Sequence, residues 1–181
     1  MNLPPAEHVF RGVDYQFNGL PLHVLLVHAV VVIVPLAALC TVLSVLWPAA
    51  RRRLGFVTPL LALVALALVP PTQAAGIWLM ARVDTTPAVQ THVGLGLNLL
   101  PWVAALFAAA LAQWLWFRWG TAAADRLRAA LGTAGTRILA AVAAVLVVAL
   151  AAGTTAAVVQ VGESGTRAVW EGRFSQEPPL P

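Results

Sequence analysis

Three histidines stand inside apolar sequence: His23 and His28 in Leu20-Pro21-Leu22-His23-Val24-Leu25-Leu26-Val27-His28, and His92 in Thr91-His92-Val93-Gly94-Leu95-Gly96-Leu97-Asn98. Imidazole binds haem iron and transition metals through a neutral ring nitrogen, and it exchanges protons near neutrality. In hydrocarbon it must also find a polar partner, because an unpaired polar group there costs several kcal/mol. Neither segment supplies such a partner from its own helical turn, so the other segments have to.

The residues that could do so are few. Thr72 and Gln73 follow Pro70-Pro71 and precede Gly76; Asn98 lies near His92; Glu163 lies in Gly162-Glu163-Ser164-Gly165. Gly94 and Gly96 are expected to give clearance for a neighbouring backbone or a planar cofactor beside His92. Two chemistries of ligation follow: a bis-histidine haem site using His28 and His92, or a metal site using His23, His28 and His92, with Glu163 as an additional oxygen ligand. In a third arrangement the histidines are only hydrogen-bonded to backbone carbonyls, Thr72 or Gln73. No nucleophile, base and orienting acid stand at readable spacing, so no catalytic residue is assigned.

These residues are carried by a chain of 181 residues that is 60% hydrophobic and 10% charged, with a mean hydropathy of +0.84. That composition excludes a soluble domain and places the chain in a bilayer. The net charge of +4 comes from eleven arginines. They stand between apolar runs, where they read as topology signals rather than as a nucleic-acid surface. The single cysteine, Cys40, can form no intrachain disulfide.

The expected fold is all-α: an integral membrane bundle of four transmembrane helices at about 21–47, 54–80, 87–119 and 137–161, several kinked at proline. Pro21 suits a first helical turn, whereas Pro35, Pro70-Pro71 and Pro101 lie inside spans and are expected to bend them. The proline pair leaves carbonyls near Leu66 and Ala67 without donors, so this break is expected to face the bundle interior. Residues 1–19 lack a basic start followed by an apolar core and are expected to persist as an extracytoplasmic tail. His8 reads there as a solvated residue, and Phe10, Tyr15 and Phe17 suit the headgroup level. The transmembrane domain covers 20–170, with 162–170 near the interface, and 171–181 reads as a disordered tail.

Seven arginines (Arg51, Arg52, Arg53, Arg118, Arg126, Arg128, Arg137) fall in the first and third connections, against Arg11, Arg82, Arg167 and Arg173 elsewhere. Both termini are therefore expected outside, in a bacterial inner membrane. His23, His28, Thr72 to Gly76, His92 and Gly162 to Gly165 then all fall in the outer half of the bundle. Counted from the helix starts, His28 and His92 come to similar depth and are expected to face each other or a shared cavity, with Gln73 and Asn98 contributing hydrogen bonds.

Four motifs, Leu20-Pro21-Leu22-His23-x-Leu25-x-x-His28, Thr72-x-x-x-Gly76, His92 and Gly162-x-Ser164-Gly165-x-x-Ala168-Val169-Trp170, carry a resemblance over about 20–170. The chain resembles the bacterial membrane proteins grouped as Domain of Unknown Function 2231. The resemblance implies a small four-helix membrane protein without an assigned substrate. In that family a histidine often stands where this chain has Glu163.

The function expected from sequence is a non-enzymatic accessory or scaffold protein of the membrane, with a histidine-containing polar site and the bilayer, other membrane proteins or itself as partners. The alternatives are a haem b electron carrier with His28 and His92 as axial ligands, and the three-histidine metal site.

Overall fold

A computed structural model describes residues 14–173. It contains β1 (Gln16–Phe17), β2 (Leu20–Pro21), α1 (Leu22–Leu46), α2 (Pro48–Leu54), α3 (Val57–Met80), α4 (Pro87–Leu97), α5 (Leu99–Trp119) and α6 (Thr121–Trp170). Four spans are long and apolar enough to cross a bilayer: α1, α3, α4 with α5, and α6. The chain is an all-α bundle of membrane-spanning type. His8, Phe10 and Arg11, and the tail beyond Arg173, lie outside the described residues.

Each span is apolar on all sides, so hydrophobicity alone does not choose its inner face; size does. Most of the buried positions advance in alternating steps of four and three: Val30, Val34, Ala37, Thr41, Ser44 on α1; Thr58, Ala62, Ala65, Val69, Thr72 on α3; Leu99, Val103, Leu106, Ala110 on α5; Ala151, Thr154, Val158 on α6. That is the spacing of helices packed knobs into holes. The side chains are mostly alanine, valine and threonine, which let backbones approach where lipid offers no hydrophobic drive for helices to associate. α1 packs on α3 and α6, and α5 packs on the same two helices, closing the ring. Where α5 meets α6, a Cβ on Gly153 would lie 2.6 Å from Trp102 Cζ3, so only glycine admits the indole there. Large side chains such as Val32, Val145 and Leu146 remain on the outside, where lipid covers them.

Three local features differ from the sequence reading. Asn18 and Gly19, both at positive φ, form the turn between β1 and β2, so the residues just before α1 are a β-hairpin rather than a loose tail. α1 and α3 are helical through Pro35 and Pro70-Pro71, as a span bent at proline also is. The third span is instead divided at Asn98, three residues before Pro101. Pro101 has no N–H for the Leu97 carbonyl, and the Gln73 amide donates to Gly96 O (2.9 Å) and Leu97 O (3.4 Å), ending α4 from outside. Finally, α6 begins at Thr121, turns at Gly132 (φ 68°, ψ 179°), and runs past Val161 to Trp170. The third connection is thus helical, and 162–170 is the C-terminal end of the last span.

Candidate functional site

His23 is the second residue of α1, set there by the β-hairpin, whose Tyr15 carbonyl accepts from Leu22 N at 2.8 Å. Its Nδ1 lies 2.9 Å from Thr72 O on α3. A carbonyl only accepts, so Nδ1 carries the proton and Nε2 holds the lone pair. The ring rests on Gly76, where a Cβ would fall 2.9 Å from Cε1 and 3.0 Å from Nδ1.

His92, in the middle of α4, repeats this arrangement on α6. Its Nδ1 lies 3.1 Å from Val161 O and 3.1 Å from Ser164 Oγ. Ser164 spends its own hydroxyl proton on Val161 O at 2.8 Å, so the hydroxyl oxygen accepts from the imidazole. The ring rests on Gly165, where a Cβ would fall 3.0 Å from Cε1 and 3.2 Å from Nδ1. In both cases the accepting carbonyl lies four residues before the glycine. That is one helical turn, so a missing Cβ opens the way to the carbonyl below it.

The two devices meet. The rings of His23 and His92 have centroids 6.1 Å apart and planes at 75°. Neither Nε2 has a hydrogen-bond partner among the described residues, and neither is sealed; both rings border a cavity of about 690 Å³. Its walls are mainly aliphatic, including Val30, Val69, Ile77, Leu99 and Val158, with Thr166 and Arg173 also on its lining. A space of this size and character suits a small molecule or cofactor.

His28 and His92 border the same cavity, as one of the two expected arrangements had it, but the ring that meets His92 is that of His23. His28 lies ~7.5 Å along α1 from His23 and ~140° around it, so it reaches a different part of the cavity wall. It is exposed, and its Nδ1 donates to Val24 O of its own helix at 2.6 Å. Counting depth from helix starts misplaced it, because α4 starts farther out than α1. The three-histidine metal site fails for the same reason: among the described residues no group of three or more His, Cys, Asp or Glu side chains could hold an ion. Glu163 is exposed on α6 beside the buried Ser164 and does not line the cavity.

The other expected site residues divide. Thr72 contributes its carbonyl to His23, while its hydroxyl donates to Leu68 O at 2.6 Å. Gln73 borders the cavity, but its amide ends α4 rather than reaching a histidine. Asn98 donates to Gly94 O at 3.0 Å and is exposed. Gly96 borders the cavity, but no atom lies within 4 Å of a Cβ built on Gly94 or Gly96, so neither seats a neighbouring side chain. Gly76 and Gly165 do. Ser164 and Val161 were absent from the candidate set, although the run around Ser164-Gly165 marked the place.

Comparison of the chain with protein-family models, curated proteins and solved structures returned no match.

Proposed function

We propose that the chain is a b-type haem electron-transfer protein of the bacterial inner membrane, both termini outside, with His23 and His92 as axial ligands. One observation carries this reading: two imidazoles from different helices, each tied through Nδ1 to a carbonyl, lie at a steep interplanar angle with centroids 6.1 Å apart and both Nε2 lone pairs uncommitted. Two axial bonds of about 2 Å and about 1.1 Å from each nitrogen to its ring centre give about 6.2 Å. Rotation about an axial bond leaves the angle between the rings free. Anchoring the distal nitrogen on a carbonyl fixes tautomer and orientation, the usual way a protein prepares a histidine ligand. Haem would supply one-electron chemistry in this setting. The chain's part is to hold both imidazoles, to surround the ring system with valine and leucine, and to offer Arg173 and Thr166 to its carboxylates. The likeness to the Domain of Unknown Function 2231 proteins is part of this proposal and agrees with its size and helix number.

A second reading is favoured by the same Nδ1 bonds: an accessory or scaffold protein in which His23 stitches α1 to α3 and His92 stitches α4 to α6. Interhelical bonds of this kind contribute about 0.6 kcal/mol on average. An absorption spectrum of protein purified from haem-supplied cells, oxidised and then reduced, decides between them. The haem reading expects a low-spin spectrum that His23→Ala or His92→Ala abolishes or converts to high spin and His28→Ala leaves intact. A colourless protein that takes up no added haem leaves the scaffold.

A further inference from the structure

At the opposite end of the bundle three arginines from two connections converge on one recess. Arg51 and Arg52 come from α2, and Arg118 from the last turn of α5. The recess, of about 200 Å³, lies between them and is also lined by Ser44, Thr58 and Gln113, with no carboxylate on its wall. A positive-inside signal needs arginines only on one side of the membrane; it does not require them to share a recess. These do, and one is fixed: the Arg51 guanidinium carbon lies 3.7 Å from the centre of the Phe117 ring. Burial and the neighbouring Arg52 charge push the Arg51 guanidinium below its usual range.

A second observation points the same way. Gln113 donates through Nε2 to Thr41 O at 3.3 Å, and its Oε1 is the only buried side-chain polar atom among the described residues without a partner. The recess therefore combines cationic forks with an amide side chain on its wall whose oxygen is buried without a donor. Ser44 and Thr58 bond to each other at 3.1 Å along the same wall.

We propose that this recess binds the headgroup of an anionic phospholipid from the cytoplasmic leaflet, with the phosphate on Arg51, Arg52 and Arg118. Arginine matches phosphate with paired N–H groups, and basic recesses between spans are where anionic headgroups settle. Trp114 and Phe117 also line the recess, and aromatic side chains favour the headgroup level, where a lipid phosphate lies. The proposal is independent of the histidine site.

Native mass spectrometry of the full chain, released from nanodiscs of phosphatidylglycerol and excess phosphatidylcholine, tests it. The expected result is one retained phosphatidylglycerol per chain. Arg51→Gln and Arg118→Gln should each weaken its retention about fivefold, and Arg128→Gln, an equal charge change on exposed α6, should leave it unchanged. Equal loss in all three variants, or no preference for phosphatidylglycerol in the wild type, overturns the site. Displacement of the lipid by millimolar inorganic phosphate also overturns it, because the occupant is then a small soluble anion. If the glutamine variants do not fold, the two wild-type measurements still decide.

Discussion

His23 lies edge-on against Gly76, with the carbonyl it bonds one turn below that glycine. A side chain on Gly76 and the present position of the ring exclude each other. Gly76→Val should cost about 1–3 kcal/mol by overpacking and release His23 from Thr72 O, and Gly165→Val should do the same to His92. Gly94→Ala and Gly96→Ala meet open space and should be neutral or slightly stabilising, alanine being the better helix former. Unfolding of the four variants in mixed micelles measures the contrast.

Gln73 supplies donors to two carbonyls at the break between α4 and α5. Gln73→Met keeps the volume and removes the donors, so it should cost about 1–3 kcal/mol and loosen that junction alone. Hydrogen exchange should rise at the start of α5 and stay unchanged in α1. Asn98→Ala, at an exposed bond within one turn, should cost less.

Topology follows from the arginines. A cysteine placed at Thr85 should react with an impermeant reagent from outside, and one at Gly120 should not. The native Cys40 is buried and should stay silent in both. The reverse pattern would invert the proposed orientation and carry the histidine site to the cytoplasmic leaflet.

Ser164 shares the Nδ1 proton of His92 with Val161 O. Ser164→Ala removes one acceptor and keeps the other, so the fold should lose only about 1 kcal/mol. If haem is bound, its midpoint potential should rise, since a less polarised Nδ1–H leaves the ligand less basic. Ser44→Ala, at the far end of the bundle, should leave the potential unchanged.

The four spans were legible because length and apolarity alone define them, and Thr72, Gly76 and His92 were legible because polar or small residues stand out in such runs. The partner of His92 was not. A helix apolar all round does not announce which face is inside, and the level at which each span starts depends on hairpins and loops outside the hydropathy signal. Asn18-Gly19 was a readable turn; had it been used, it would have fixed the start of α1 and favoured His23. The end of the last span was hidden by Gly162 and Gly165, which look like helix breakers. Gly165 is instead the seat of a ring on a continuing helix.

The repetition of one device on α1 with α3 and on α4 with α6 has a thermodynamic consequence. Each pair of spans is a module that brings one imidazole and one glycine seat, and the 6.1 Å gap is the seam between modules rather than a pocket within either. Anything that takes both Nε2 lone pairs must clamp the two modules together, and by linkage it stabilises their docking as much as their docking favours it. Occupancy of the seam and assembly of the bundle are then a single equilibrium, and a chain cut in the loop 81–86 should rejoin more tightly when the seam is filled.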